Sequence, residues 1–448
     1  MAKIWQKKEI DNSELSKLVE TFTVGKDREL DLILAKYDVL GSLAHTQMLA
    51  EVGLLPKEEL VPIHKELKNI YNTIEAGEFT LDESSEDIHS EVEYRLTQKL
   101  GDLGKKIHSG RSRNDQVLLD IKLYSRAKIK ETVEQTQILF DTLIGLAEKH
   151  KDVLLPGYTH LQIAMPSSFG LWFSAYAESL SDDINSLYGA YALVNKNPLG
   201  SGAGYGSSFP LNRIRTTELL GFESLNYNVV YAQMNRGKME KFVSSALANI
   251  ASSLAKLAMD ATLYINQNFG FISFPDVLTT GSSIMPHKKN PDVFELIRAK
   301  CNKLINLPTQ ISMITGNLPS GYHRDLQIIK EDYLYSFDTL IDCIKMTNTM
   351  LEYIIIKEQI LEDDRYKYLF TVDSINELVN QGQSFRDAYV EVGQKVENGS
   401  YEKPNELKHT LEGSIGNLCL DEIVKQMIKN TEQFHFTKFL EKENCLVQ

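Results

Sequence analysis

Two long stretches without glycine or proline constrain this chain more than any other feature. The first runs from Arg113 to Ile144 and the second from Lys238 to Phe269. In the first, Ile129, Val133, Thr136, Phe140, Leu143 and Ala147 recur at alternating spacings of four and three. Val243, Leu247, Ile250, Leu254, Leu257, Ala261 and Tyr264 keep the same rhythm in the second. Such spacing lays one apolar seam along each of two helices. A helix of about 30 residues rises roughly 45 Å, and a two-position seam suits bundle packing. Further helical stretches are predicted at 167–194, 292–306 and 325–359, and no alternation is long enough for a large sheet. The fold class is therefore all-α. A plain coiled-coil rod has no use for the polar, proline- and glycine-marked loops that interrupt these helices.

Loop positions divide the 448 residues into three parts. An N-terminal helical domain is predicted over 1–105, a central long-helix domain over 106–356 and a small C-terminal helical domain over 357–448. The net charge is −13, with no basic tail. A sequence-independent nucleic-acid binder needs a cationic surface, so nucleic acid is not a predicted partner. Local charge in a cleft still permits small anions. Cys301, Cys343, Cys419 and Cys445 have no short spacing that would make a disulfide framework or a zinc site. The N-terminus lacks a signal-peptide core, and no uncharged apolar run nears the roughly 20 residues of a membrane span. A cytoplasmic protein without membrane partners is predicted.

Four polar loops stand out. In "SSEDIHSEVEYRL" (84–96), Asp87 and His89 precede a helical pattern, where acidic groups meet the helix dipole favourably. "HSGRSRNDQV" (108–117) crowds Ser112, Arg113, Asn114 and Asp115 at the start of the first long helix. That loop reads either as capping by Asn114 or Asp115 or as a carboxylate site made of amides and an arginine. "LPGYTHLQIAMP" (155–166) holds Thr159 and His160 between two prolines. "GSSIMPHKKNP" (281–291) gathers Ser282, Ser283, Lys288 and Lys289 with no acidic residue, ahead of the helix "DVFELIRAK". "GSGAGYG" (200–206) lacks the GK[ST] ending of a phosphate loop, and no histidine spacing implies a metal.

Residues 281–291 match GSSxMPxKxNP, the signature shared by the fumarase/aspartase superfamily. Within it, "GRSRNDQV", "PGYTHLQ", "YDVLGSLAH", "EDIHSEVE" and "LPSGYHRDLQ" make the chain similar to the argininosuccinate lyases, from about residue 20 to about 345. The resemblance implies a three-domain subunit whose long helices build a twenty-helix core in a homotetramer. Each active site then collects its loops from three subunits. It also implies cleavage of argininosuccinate to arginine and fumarate without a cofactor.

The resemblance implies roles as well. A proton leaves the carbon beside a carboxylate and the C–N bond breaks, so fixed donors must hold the charge that develops. Ser282 is the implied base and His160 the implied acid, a division the resemblance leaves open. Lys288 and helix N-termini lower the serine pKa, and Glu295 orients His160. Lys288 and Asn290 hold the succinyl carboxylates, Ser112, Arg113, Asn114 and Thr159 fix the substrate's carboxylates, and Asp87 helps hold the arginine half. Tyr322, Gln327 and Lys330 match substrate-contacting positions. The chain departs from the family in its "WQKKEI" start and in "ETFTVGKDREL" (20–30), where Thr23 or Gly25 stands for a serine. It departs again at Ile328 and Ile329, which replace acidic residues. A lyase for another succinyl–nitrogen adduct, and a structural use of the same fold, are the alternatives.

Overall fold

The computed structural model describes residues 13–82, 85–404 and 406–448; Ser84 and the "WQKKEI" segment lie outside them. Helices α1 (Ser13–Val24), α2 (Asp27–Glu51), α3 (Lys57–Glu75) and α4 (Ile88–Leu100) precede the long α5 (Arg113–Lys149). α6 (Phe169–Val194) returns along α5, and the short α7 (Arg213–Leu219) and α8 (Val229–Met234) lead to α9 (Lys238–Ile265). α10 (Asp292–Thr315) packs along α9, and α11 (Ile329–Glu352) joins α5, α6, α9 and α10 in a bundle of five long helices, with the 25-residue α2 packed beside it. α12 (Thr371–Asn380), α13 (Phe385–Glu397), α14 (Leu420–Glu432) and α15 (Thr437–Val447) follow.

Both uninterrupted stretches are helical, and the predicted seams are what they bury. Ile129, Phe140, Leu143, Val243, Leu247, Ile250 and Leu254 are all at most 1% exposed. One continuous apolar core joins them to α2, α6, α10 and α11, while Ile375, Ala388, Val392 and Tyr401 form a small separate cluster under α12 and α13. By length and composition α9 would suffice to cross a membrane. Its apolar face instead packs against α6, α10 and α11. α11 stops at Glu352, short of the predicted 359, because Ile355–Ile356 leaves the bundle to pair with Ile272–Ser273.

The five long helices alternate in direction, and this decides where the loops fall. The starts of α5 and α9, the end of α10 and the start of α11 share one end of the bundle. At the other end lie the hairpin after α5 and the connection from α9 to α10, about 55 Å away along α5 at 1.5 Å per residue. That hairpin, β1 (Leu154–Thr159) with β2 (Gln162–Ser168), is not among the predicted elements. Pro156 and Pro166 interrupt any alternation there, and Tyr158 packs on Phe269 just beyond α9, with ring centroids 5.5 Å apart.

Candidate active site

At the first end of the bundle a cleft of about 160 Å³ opens between α2, the starts of α4 and α5, and the 322–330 segment. Asp87, Arg113, Asn114, Tyr322, Gln327 and Lys330, all predicted from the sequence, line it together. Asp87 is the N-cap of α4, its carboxylate accepting from the Ser90 amide at 2.8 Å and the Ser90 hydroxyl at 2.7 Å. The same carboxylate pairs with Arg113 at 3.2 Å, so capping and site construction are one act. Burial alone would raise the Asp87 pKa, but His89, Arg113 and Ser90 together hold it below the ordinary carboxylate value. Arg113 also donates to Glu86 at 2.8 Å and to the Ser90 hydroxyl at 2.6 Å, which fixes the guanidinium at the mouth of the cleft.

The cap of α5 is neither Asn114 nor Asp115 but Ser112, whose hydroxyl accepts from the Asn114 amide at 3.3 Å. Asp115 closes the capping box by accepting from the Ser112 amide at 2.9 Å. Its other oxygen accepts from the amides of Gly200 and Gly202, both at 2.9 Å. The glycine-rich run therefore does bind an anion, but a carboxylate of its own chain. Gly200, Gly202, Gly204 and Gly206 all have positive φ, which lets the amides converge. Ser112 does not line the cleft; it holds Asn114 there.

Lys330 is 5% exposed and lies between Asp27 at 2.7 Å and Asp31 at 2.9 Å. Burial works to lower its pKa, and the two carboxylates outweigh burial and raise it. Gln327 donates to the carbonyl oxygens of Thr23 at 2.8 Å and Val24 at 3.3 Å. The Thr23 hydroxyl bonds back to Val19, so at the departure from the family a main-chain carbonyl faces Gln327. Of the two replaced acidic residues, Ile329 joins the core at 2% exposed, and Ile328 is 68% exposed. Asp27, Asp31, Glu86, His89, Arg236 and Arg324 also line the cleft, beyond the predicted set. Asp27 and Asp31 carried a readable signal, since four-residue spacing sets both on one helix face.

Behind the cleft His89 donates from Nδ1 to Asp38 at 2.7 Å, with Asp120 3.9 Å away. Burial opposes charge on His89, yet Asp38, Asp87 and Asp120 overcome it and raise the pKa to about 10. Burial and then Asp38 push Asp120 well above the carboxylate range. The three groups have a metal-ligand composition, with ligand atoms within 4.8 Å of one another. In this arrangement the imidazole Nδ1 is committed to Asp38.

Thr159, His160, Ser282, Lys288, Asn290 and Glu295 do not line this cleft. They belong to the opposite end of the bundle. His160 and Leu161 form a two-residue hairpin turn with φ of 54° and 58°, a left-handed pair that favours asparagine and glycine. The turn thrusts an exposed imidazole outward. Thr280–Gly281 pairs with Lys289–Asn290 and closes the base of the signature loop. At its start the Ser282 hydroxyl accepts from the amides of Ile284 at 3.3 Å and Met285 at 3.1 Å. Two amide donors on one oxygen favour its deprotonated form. Lys289 is held by Asp276. Lys288 has no carboxylate partner among the described residues, and no hydrogen bond joins His160 to Glu295 within one chain.

Residues 12–305 match the family model described as lyase, which makes this antiparallel bundle with polar loops at both ends a helical lyase of the fumarase/aspartase type. Argininosuccinate lyase of Bacteroides fragilis is 59% identical over 445 residues, covering 99% of each chain, and that of Parabacteroides distasonis is equally similar. Argininosuccinate lyase of Thermotoga neapolitana is 36% identical over 88% of this chain and 98% of its own. The chain belongs to the argininosuccinate lyase family. Among solved structures, EDDS lyase in complex with formate superposes with a TM-score of 0.77 at 21% identity, covering 95% of this chain and 94% of the other. A fumarate lyase:delta crystallin from Brucella melitensis gives 0.68 at 18%, with 91% of each chain covered.

Proposed function

We propose that the protein cleaves argininosuccinate reversibly and without hydrolysis to arginine and fumarate. Full-length similarity at 59% to curated argininosuccinate lyases carries this reading. The cleft suits the amino-acid half of such a substrate, since Arg113, Arg236 and Arg324 face Asp27, Asp31 and Asp87 and can receive a zwitterion. The chemistry then falls to the opposite end of neighbouring subunits. Ser282, its hydroxyl already holding two amides, removes the Cβ proton, while Lys288 and Asn290 bind the carboxylates that gather negative charge. His160, oriented by Glu295, protonates the departing guanidinium nitrogen. Asn114, Thr159 and the amide-rich start of α5 secure the succinyl half, with Ser112 holding Asn114 in position.

Both half-sites face outward from opposite ends of one chain, which supports a homotetramer with shared sites. The exposed apolar side chains of the long helices support it too, among them Leu296 at 61%, Met313 at 79% and Phe242 at 48%. The division into 1–105, 106–356 and 357–448 and a cytoplasmic location belong to the same reading. Purified protein mixed with argininosuccinate should release fumarate, read by its ultraviolet absorbance. Ser282→Ala should cut turnover by about 10²–10⁴-fold while the oligomer stays intact. A protein inactive on argininosuccinate but active on another succinyl–nitrogen adduct would overturn the substrate assignment.

A further inference from the structure

We propose that Asp27 and Arg324 form a clamp for the ammonium and carboxylate of a free α-amino acid, and so decide which ligands the cleft accepts. The proposal rests on the reading of the cleft as the seat of the substrate's amino-acid half. Both residues lie outside the positions that the family resemblance supplied, and Asp27 falls within the segment 20–30, where the chain departs from the family. Pairing singles them out. Asp31 is committed on both oxygens, one to Lys330 at 2.9 Å and the other to the Ile88 amide at 3.2 Å. Asp87 is likewise held by Ser90 and Arg113. Asp27 meets Lys330 through one oxygen at 2.7 Å, and its other oxygen accepts no hydrogen bond among the described residues. Its side chain keeps 20% of its surface exposed and lines the cleft, so this carboxylate is open to a ligand. One lysine between two carboxylates leaves this corner with a net negative charge. Burial raises the Asp27 pKa in spite of Lys330, and a second cation at this carboxylate would relieve that cost.

The arginines of the cleft sort in the same way. Arg113 is paired with Glu86 and Asp87, and Arg236 with Glu240. Arg324 has no carboxylate partner among the described residues. Its Nε donates to the Gln327 side-chain oxygen at 3.1 Å and its Nη2 to the Thr23 carbonyl at 3.0 Å. These bonds fix the guanidinium at the cleft and leave Nη1 for a ligand. Gln327 joins the two charges, since its amide nitrogen bonds the carbonyls of Thr23 and Val24, just ahead of Asp27. An unspent carboxylate and an unspent guanidinium on either side of one glutamine match a zwitterion, whose ammonium and carboxylate share a single carbon. The altered segment thus supplies a charged contact of its own to the amino-acid end.

Calorimetric titration of the full-length protein with L-arginine, agmatine and δ-guanidinovalerate tests the clamp. Agmatine keeps the ammonium and lacks the carboxylate; δ-guanidinovalerate keeps the carboxylate and lacks the ammonium. Arginine should bind the wild type more tightly than either. Asp27→Asn should weaken arginine and agmatine at least about tenfold, the loss expected for one charge-assisted contact, and spare δ-guanidinovalerate. Arg324→Gln should weaken arginine and δ-guanidinovalerate and spare agmatine. The Arg324 side chain is exposed, so this variant keeps the fold even where Asp27→Asn does not. Arginine bound no better than its two analogues would overturn the clamp, as would variants that leave arginine binding unchanged or weaken all three ligands alike. Turnover of argininosuccinate is read separately. Turnover with the wrong binding pattern removes the clamp and leaves the lyase reading, whereas the expected pattern without turnover removes the activity and leaves the clamp.

Discussion

Lys330 and His89 are both cations sunk among carboxylates at the back of the cleft, and each holds its charge because of that company. For His89 the consequence can be measured. The folded protein keeps the proton up to about pH 10, while an unfolded chain releases it near the ordinary 6.5. The stabilisation is therefore complete below pH 6.5 and drains away as pH climbs towards 10. Denaturant unfolding across that interval reads this loss against an opposite slope from buried Lys122, whose pKa is lowered to about 7, so the comparison with a variant isolates His89. Asp38→Asn, which removes the negative charge 2.7 Å from Nδ1, should give a less stable protein whose stability falls less, or rises more, with pH than that of the wild type. Parallel slopes would mean that His89 is not the titrating group. Asp38→Asn should also impair substrate binding, because His89 bounds the cleft beside Asp87.

At the level of elements, the start of α5 depends on a contact from far along the chain. Asp115→Ala removes the reciprocal half of a capping box and leaves two buried amides, of Gly200 and Gly202, without an acceptor. A loss of about 2–4 kcal/mol in unfolding free energy is expected. Turnover should fall as well, since Ser112, which holds Asn114, loses its reciprocal bond to Asp115. A variant with unchanged stability would show that the glycine loop finds other partners. This junction also marks the limit of what the sequence disclosed. The seams of α5 and α9 were legible because periodicity is local and repeats over many turns. Asp115 and the glycine run, 85 and 87 residues from it, were legible only as separate fragments. The hairpin went unread because prolines broke its pattern, and its turn carries His160 and Leu161 where the backbone favours asparagine and glycine. Six site residues that line the cleft were found through their motifs, whereas Arg236 had only its charge to show and Arg324 went unnamed inside "LPSGYHRDLQ".

Across the whole molecule, the proposed division of the site between opposite ends of the bundle would make cooperation between chains a requirement. Mixing denatured Ser282→Ala chains with denatured Asn114→Ala chains and refolding them together should restore activity that neither has alone. With equal amounts and random assembly, about a quarter of sites would receive two intact halves. No recovery in mixed oligomers would mean that Ser282 and Asn114 act within one chain. Dilution should abolish activity in step with dissociation, tracked by light scattering. The 37-residue α5 separates the two ends, so it also works as a gauge block. Inserting four residues would push the far loops out by about 6 Å. That overshoot exceeds the tolerance of any hydrogen bond, and it would recur in every site of the assembly unless all five long helices grew together. Single substitutions can thus alter the exposed surfaces of this protein one at a time, whereas the distance between its ends admits no such small step.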